Sequence, residues 1–270
     1  MSHFNKKSIQ IALAVGISAL VTQGCDVISK VSAESGMKFD GPQAKEDRKV
    51  DAFTHVQAGD SFEVEVTLGK APSVTIDAPK DLLPHLKATV ENGVLDLSSD
   101  TSYSIQGSSQ VKAYVTVESL DGVAVSGASS MVIKGMVKAN SFDARASGAS
   151  HLTFSAEVGT LELEASGSSS ADIAALKAKT SKFTASGASH VNVSGTSEET
   201  NIESSGSSEV NGNLSAERAE VQTSGAAHSE LSVDKSLKAG ASGSSSITYS
   251  GNVTDVQKEI SGVGSIEKKK

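Results

Sequence analysis

The sequence has no Trp, only 4 Pro and 1 Cys, and aromatic residues make up 4% of its 270 residues. A single Cys excludes an internal disulfide. Scarce aromatics leave any sugar-stacking platform to Tyr103, Tyr114, Tyr249 and 7 Phe, most of which read as core. Arg occurs three times and the net charge is −8. An acidic chain without a basic stripe is a poor partner for nucleic acid, where phosphate neutralisation supplies much of the affinity. The apolar run at residues 9–21 has 13 residues, short of the roughly 20 that a spanning helix needs.

Gly and Ser are abundant, and they are ordered. Ser126-Gly127-Ala128-Ser129 returns as Ser147-Gly148-Ala149-Ser150, Ser166-Gly167-Ser168-Ser169, Ser186-Gly187-Ala188-Ser189 and Ser205-Gly206-Ser207-Ser208. It continues as Ser224-Gly225-Ala226-Ala227 and Ser242-Gly243-Ser244-Ser245, and decays into Ser261-Gly262-Val263-Gly264. The Gly steps are 21, 19, 20, 19, 19, 18 and 19 residues. A fixed period of this size marks a solenoid. Disorder is the competing reading of Ser and Gly richness. It fails because apolar residues alternate regularly between the copies. Val125, Ala146, Ala165 and Ala185 stand two residues before their Gly, and Val123, Ala144, Leu163 and Phe183 four before. Met131, Leu152, Ala171 and Val191 stand four after. The pattern predicts an all-β, single-chain β-helix (β-solenoid) with coils of about 19 residues. Each coil holds two short period-two strands around a Gly bend, with the Ser residues laddered toward water. Eight coils about 4.8 Å apart span roughly 38 Å.

Residues 1–24 read as a signal peptide: Lys6-Lys7, a short apolar stretch, then Gly24 before Cys25. The Cys resembles the lipid-attachment residue of bacterial lipoproteins, although Thr22 and Gln23 depart from that pattern. The plainer alternative is a secretory signal with an incidental Cys. Lipidation would tie the protein to a membrane. Asp26 hints at inner-membrane retention if the enteric rule applies. Residues 25–47 are the expected tether. Residues 48–120 are expected to cap the solenoid irregularly, with Gly107-Ser108-Ser109 as an early weak copy, and residues 121–270 to form the regular coils.

His151, His190 and His228 recur three residues after Gly148, Gly187 and Gly225, which makes them a candidate exposed turn surface. Two coil steps, about 9–10 Å, separate them, too far to share one metal ion. No metal, cofactor or catalytic residue is therefore assigned. The turns lack the Gly-Gly-x-Gly-x-Asp pattern of calcium-binding solenoids. Asp143, Asp172, Asp234 and Asp255 do not share a repeat position, as the acids of a glycan-cleaving cleft would need to. Arg145 and Arg218 lie more than three coils apart.

The chain resembles the bacterial family described as putative auto-transporter adhesin, head GIN domain, over about residues 48–269. The resemblance rests on Arg48-x-Val50-x-x-Phe53-x-x-Val56, the strand at residues 64–68, Pro72-Ser73-Val74-Thr75-Ile76 and Asp81-Leu82-Leu83-Pro84. It continues through Asn92-Gly93-Val94-Leu95-Asp96-Leu97 and Val125-Ser126-Gly127-Ala128-Ser129, and ends in Ser261-Gly262-Val263-Gly264-Ser265-Ile266. The resemblance implies an exported protein, often a lipoprotein, with a β-helical body and no established activity. The expectation is a non-enzymatic, lipid-anchored cell-envelope protein that binds an envelope protein or glycan, and not nucleic acid. A structural spacer is the first alternative and a polysaccharide-active enzyme the second.

Overall fold

The computed structural model of the chain describes residues 37–105 and 109–269. The signal segment, Cys25, Asp26, the tether up to residue 36, Gly107 and Ser108 lie outside the described residues. Short strands come first: β1 (Met37–Phe39), β2 (Gln43–Arg48), β3 (His55–Ala58), β4 (Glu63–Leu68) and β5 (Ser73–Pro79). After a 3₁₀ turn at Leu83–His85 come β6 (Leu86–Glu91), β7 (Val94–Ser99), β8 (Tyr103–Ile105), β9 (Lys112–Val117) and β10 (Gly122–Val125). Six long strands then take one coil each: β11 (Ser130–Ala146), β12 (His151–Ala165), β13 (Ser170–Ala185), β14 (His190–Ser204), β15 (Glu209–Thr223) and β16 (His228–Gly243). β17 (Ser246–Ser250), β18 (Asp255–Gly262) and β19 (Ser265–Lys268) end the array.

The β-solenoid is as the repeat predicts. Successive coils pair in parallel, and like positions stack into columns. Leu163, Phe183, Ile202, Val221 and Ala239 are partners in consecutive coils and all are buried. One detail differs from the expectation of two short strands per coil. Each long strand runs from one Ser-Gly corner to the next and carries a further inward run. In β12 that run is Ala156 and Val158, before the alternation breaks at Gly159-Thr160 and resumes at Leu161, Leu163 and Ala165. The coil therefore bends a second time, opposite the Gly, where no single residue type marks the place. Differences in coil length are absorbed on this far arm. Register shifts fall between Val132 and Met136, between Ile173 and Leu176, and between Val210 and Ser215, while the corners stay aligned.

The corners lock the stack. Gly148, Gly167, Gly187, Gly206 and Gly225 have φ between 73° and 75°, a region that costs an L-residue about 1–2 kcal/mol. The residue after each Gly donates its N–H to the preceding corner's Gly carbonyl: Ala188 to Gly167, Ser207 to Gly187 and Ala226 to Gly206, each at 2.7 Å. This approach leaves no room for a side chain. A Cβ on Gly206 would stand 2.7 Å from the Gly187 oxygen.

The N-terminal end departs from chain order. β3 and β4 form the coil next to β10 and β11, and β7 and β9 form a coil beyond β3 and β4. The chain thus lays one coil, adds another outside it, and returns to start the regular array. Asp60, at φ 60°, occupies the corner below Gly127 and accepts the Ala128 N–H at 2.8 Å. Asp is among the few residues that tolerate this conformation. Antiparallel strands close this end: β6 on β7, β5 on β9, and β2 on β5. Strand β2 includes residues 43–47, the last part of the expected tether.

The corner geometry makes a graded prediction. Gly206→Ala combines the backbone term with a clash against backbone and should cost about 3 kcal/mol or more. Gly93→Ala, at φ 78° with open space around it, should cost only about 1 kcal/mol. Urea unfolding measures both, and equal costs would contradict the stacked corner.

Candidate functional site

Each Ser-Gly corner divides two outer faces, and the strands on either side fix what those faces show. Residues one, three, five and seven before each Gly form the trailing face. Residues three and five after it form the leading face. The Ser of the corner itself splits between inside and outside. Ser129, Ser150, Ser169, Ser189, Ser208 and Ser245, two after each Gly, are buried. This corrects the expectation that the Ser ladders face water. These residues share the inward parity of the apolar positions four and six after the Gly. Each hydroxyl is satisfied by a carbonyl of the preceding coil: Ser150 donates to Val125 at 3.2 Å, Ser189 to Ala165 at 3.1 Å and Ser245 to Thr223 at 2.9 Å. The Ser preceding each Gly remains half-buried at the rim.

The leading face holds the three His. His151, His190 and His228 lie in one register column, separated by Ser170 and Glu209. They are brought to one stripe and never to adjacent rungs. His151 meets Ser170 at 2.5 Å and Thr153 at 3.0 Å, with Asp172 at 3.5 Å. His190 meets Glu209 at 3.0 Å, and His228 meets Ser246 at 2.7 Å. Nearly half of the His151 and His190 side chains is exposed, 45% and 46%, so these contacts are screened and individually weak. Among the described residues no group of three His, Cys, Asp or Glu is placed to hold a metal. The stripe offers imidazole, hydroxyl, amide and carboxylate groups at a fixed axial step.

The trailing face is ribbed by ion pairs between coils: Arg145 with Glu164 at 3.6 Å, Arg218 with Glu199 at 3.1 Å and Lys238 with Glu220 at 2.8 Å. The hydrogen bond and charge of Glu220 hold the Lys238 ammonium above its ordinary value. A similar pairing beyond this face lowers Glu157, through Lys177 and then Lys138. Asp143 and Asp255 lie on the trailing face and Asp172 on the leading one, so the acids converge on no point.

A shallow trough of about 730 Å³ runs across the trailing face of the last coils. Its floor carries Glu203, Gln222, Gly240 and Glu259 on one side, and Ser224 and Ser242 on the other. Gly240 is what opens it, since other coils carry a side chain there. A Cβ on Gly240 would press on the Gln222 amide, which lies across it. A parallel hollow of about 390 Å³ includes Arg218 and Lys238. The sequence reading missed this concavity. Its only signal was a Gly at a position otherwise Ala, Arg, Glu, Thr or Gln.

A third hollow, about 400 Å³, opens at the N-terminal end between Asp60 and Tyr103. The Asp60 carboxylate accepts the Ser99 N–H at 2.9 Å. Burial, and then the Asp60 charge, push the Tyr103 phenol up to about 12.

Residues 52–175 and 159–253 match the family described as putative auto-transporter adhesin, head GIN domain. Among solved structures, a putative adhesin from Parabacteroides merdae is 19% identical, with 86% of this chain and 99% of that chain covered and a TM-score of 0.77. A putative adhesin from Parabacteroides distasonis is 20% identical over 86% of this chain and 99% of that one, with a TM-score of 0.80. A putative lipid binding protein from the same organism is 20% identical over 87% and 100%, with a TM-score of 0.73. At these identities the likeness is one of fold. No curated protein matches the chain.

The Tyr103 phenol gives a pH prediction. Its raised value favours the neutral form in the folded state. Its contribution is whole below the ordinary Tyr value of about 10 and is lost as pH rises through about 12. Thermal unfolding should therefore show a smaller drop in Tm between these limits for Tyr103→Phe than for the unaltered chain. Equal drops would overturn the assignment.

Proposed function

Because the chain belongs to the family described as putative auto-transporter adhesin, head GIN domain, we propose that it is a non-enzymatic, lipid-anchored protein of the bacterial cell envelope. Its solenoid presents outer faces to an envelope protein or glycan. Cys25 carries the lipid, residues 26–36 belong to the tether, and the body stands off the membrane. Asp26 favours the inner membrane where the enteric sorting rule applies.

The observation that carries this reading is the division of labour within each coil. Inward positions are apolar, or hydroxyls bonded to the preceding coil, so the body is a rigid rod. Outward positions repeat polar groups at a constant step of about 4.8 Å, and one stretch of them is concave. A repeating array of weak polar contacts suits a repeating or extended partner, where many small terms act together. The ion pairs that rib the trailing face favour the second reading, a spacer without a ligand.

Two measurements test the proposal. Cys25→Ser should move the protein from the membrane to the soluble fraction, and continued membrane partition would remove the lipid anchor from the reading. Purified protein should bind saturably to isolated envelope glycan or envelope protein. Gly240→Gln, which fills the trough and displaces only the flexible Gln222 amide, should weaken that binding about tenfold, equivalent to about 1.4 kcal/mol. No saturable binding to either fraction would leave the spacer.

A further inference from the structure

The two ends of the solenoid are finished differently. Antiparallel strands cover the N-terminal end. At the C-terminal end β18 and β19 pair only backward, with β16 and β17, and among the described strands none lies against their outer edge. Two inward positions of β18, Lys258 and Ile260, are consequently exposed, while Ile266 of β19 is buried. Ile260, partner of the buried Ala241, is 54% exposed. A parallel edge with apolar residues above it is a template for another strand.

Lys258 stands where that template would be most apolar. Its column runs Val123, Ala144, Leu163, Phe183, Ile202, Val221 and Ala239, all buried, and then ends in Lys258. The residue is exposed, and its side chain folds back over the end of the core. Its Nζ lies 4.8 Å from the centre of the Tyr249 ring and donates to the Ile266 carbonyl at 3.0 Å. The methylene stem thus crosses the end of the core from the trailing strand toward the leading one, and the ammonium is held by a ring face and a carbonyl.

We propose that Lys258 is a gatekeeper. It closes the C-terminal end of the core and stops this edge from pairing with the same edge of a second copy. A second strand docking here would bury the ammonium without a carboxylate in its column, which opposes the docking. An inward charge on an edge is a recognised barrier to edge-to-edge association. Replacing it by an apolar residue continues the buried column to the surface and leaves Ile260 beside it. The fitting partner is then the identical edge of another molecule, where the same change has occurred. This inference concerns self-association and is independent of the ligand-binding reading above.

The test compares three full-length chains in the same detergent by sedimentation and cross-linking over a range of concentrations. The unaltered chain should keep one mass. Lys258→Leu should show a mass that at least doubles as concentration rises, with strand content by circular dichroism unchanged. In that background, Ile260→Lys restores an inward charge on the same edge and should return the monomer mass. A Lys258→Leu chain that stays monomeric overturns the proposal. So does a doubly substituted chain that associates as strongly as the single one, because association would then not run through this edge.

Discussion

Everything in this molecule depends on how closely one Gly can sit on another. At the corners a backbone N–H meets the Gly carbonyl of the coil below at 2.7–2.8 Å, from Ala149 on Gly127 to Ser244 on Gly225. That contact requires a left-handed turn and the absence of a Cβ at the same residue, and Gly alone meets both conditions. Once the corners are stacked, the parity of every flanking residue is fixed. The apolar columns, the buried hydroxyls and the outer stripes all follow from that one alignment.

The slim interior then sets its own rules. Phe142, Phe154 and Phe183 are accommodated in full burial, and Phe142 meets Phe154 edge-on at 5.3 Å. Elsewhere the columns use hydroxyls in place of methyl groups. Ser204, Thr223 and Ser229 form a buried triangle with contacts of 2.9–3.1 Å, and Ser181 bonds Ser197 and Thr200 at 3.0 Å. Each of these hydroxyls has a partner on an adjacent coil, as buried hydroxyls need. Neighbouring coils are therefore joined by side chains as well as by the ladder. Such links pin the register, because a slip by one residue would expose the bonded hydroxyls and the methyl columns together.

How much of this could be read beforehand varied with the kind of signal. The corners and the inward positions from Val123 to Ile266 were legible because Gly and period-two alternation are local and leave marks in the sequence. The inward Ser two after each Gly carried the right parity, but its polarity pointed the other way. Only the acceptor on the coil below explains its place. The far bend left no mark, since Gly159-Thr160 in one coil answers to other residue types in the next. The stacking of β7 and β9 outside β3 and β4 is a matter of long-range order, and no residue announces it. The His stripe was found as a stripe. The trough was not, because it is made by what Gly240 lacks and by how Gln222 folds across it.

The unequal lengths of the coils have a wider consequence. Two residues of slack in one coil and a deficit of one in another both vanish on the far arm, at Val132–Met136 and Val210–Arg218, before the next corner is reached. The Gly line is thus a datum edge, and the opposite side is a tolerant margin. Insertions accepted on that margin would project laterally from a rod whose rise per coil is unchanged. Descendants of such a chain can diversify the lateral surface while keeping the same distance from end to end, so length and surface become separately adjustable.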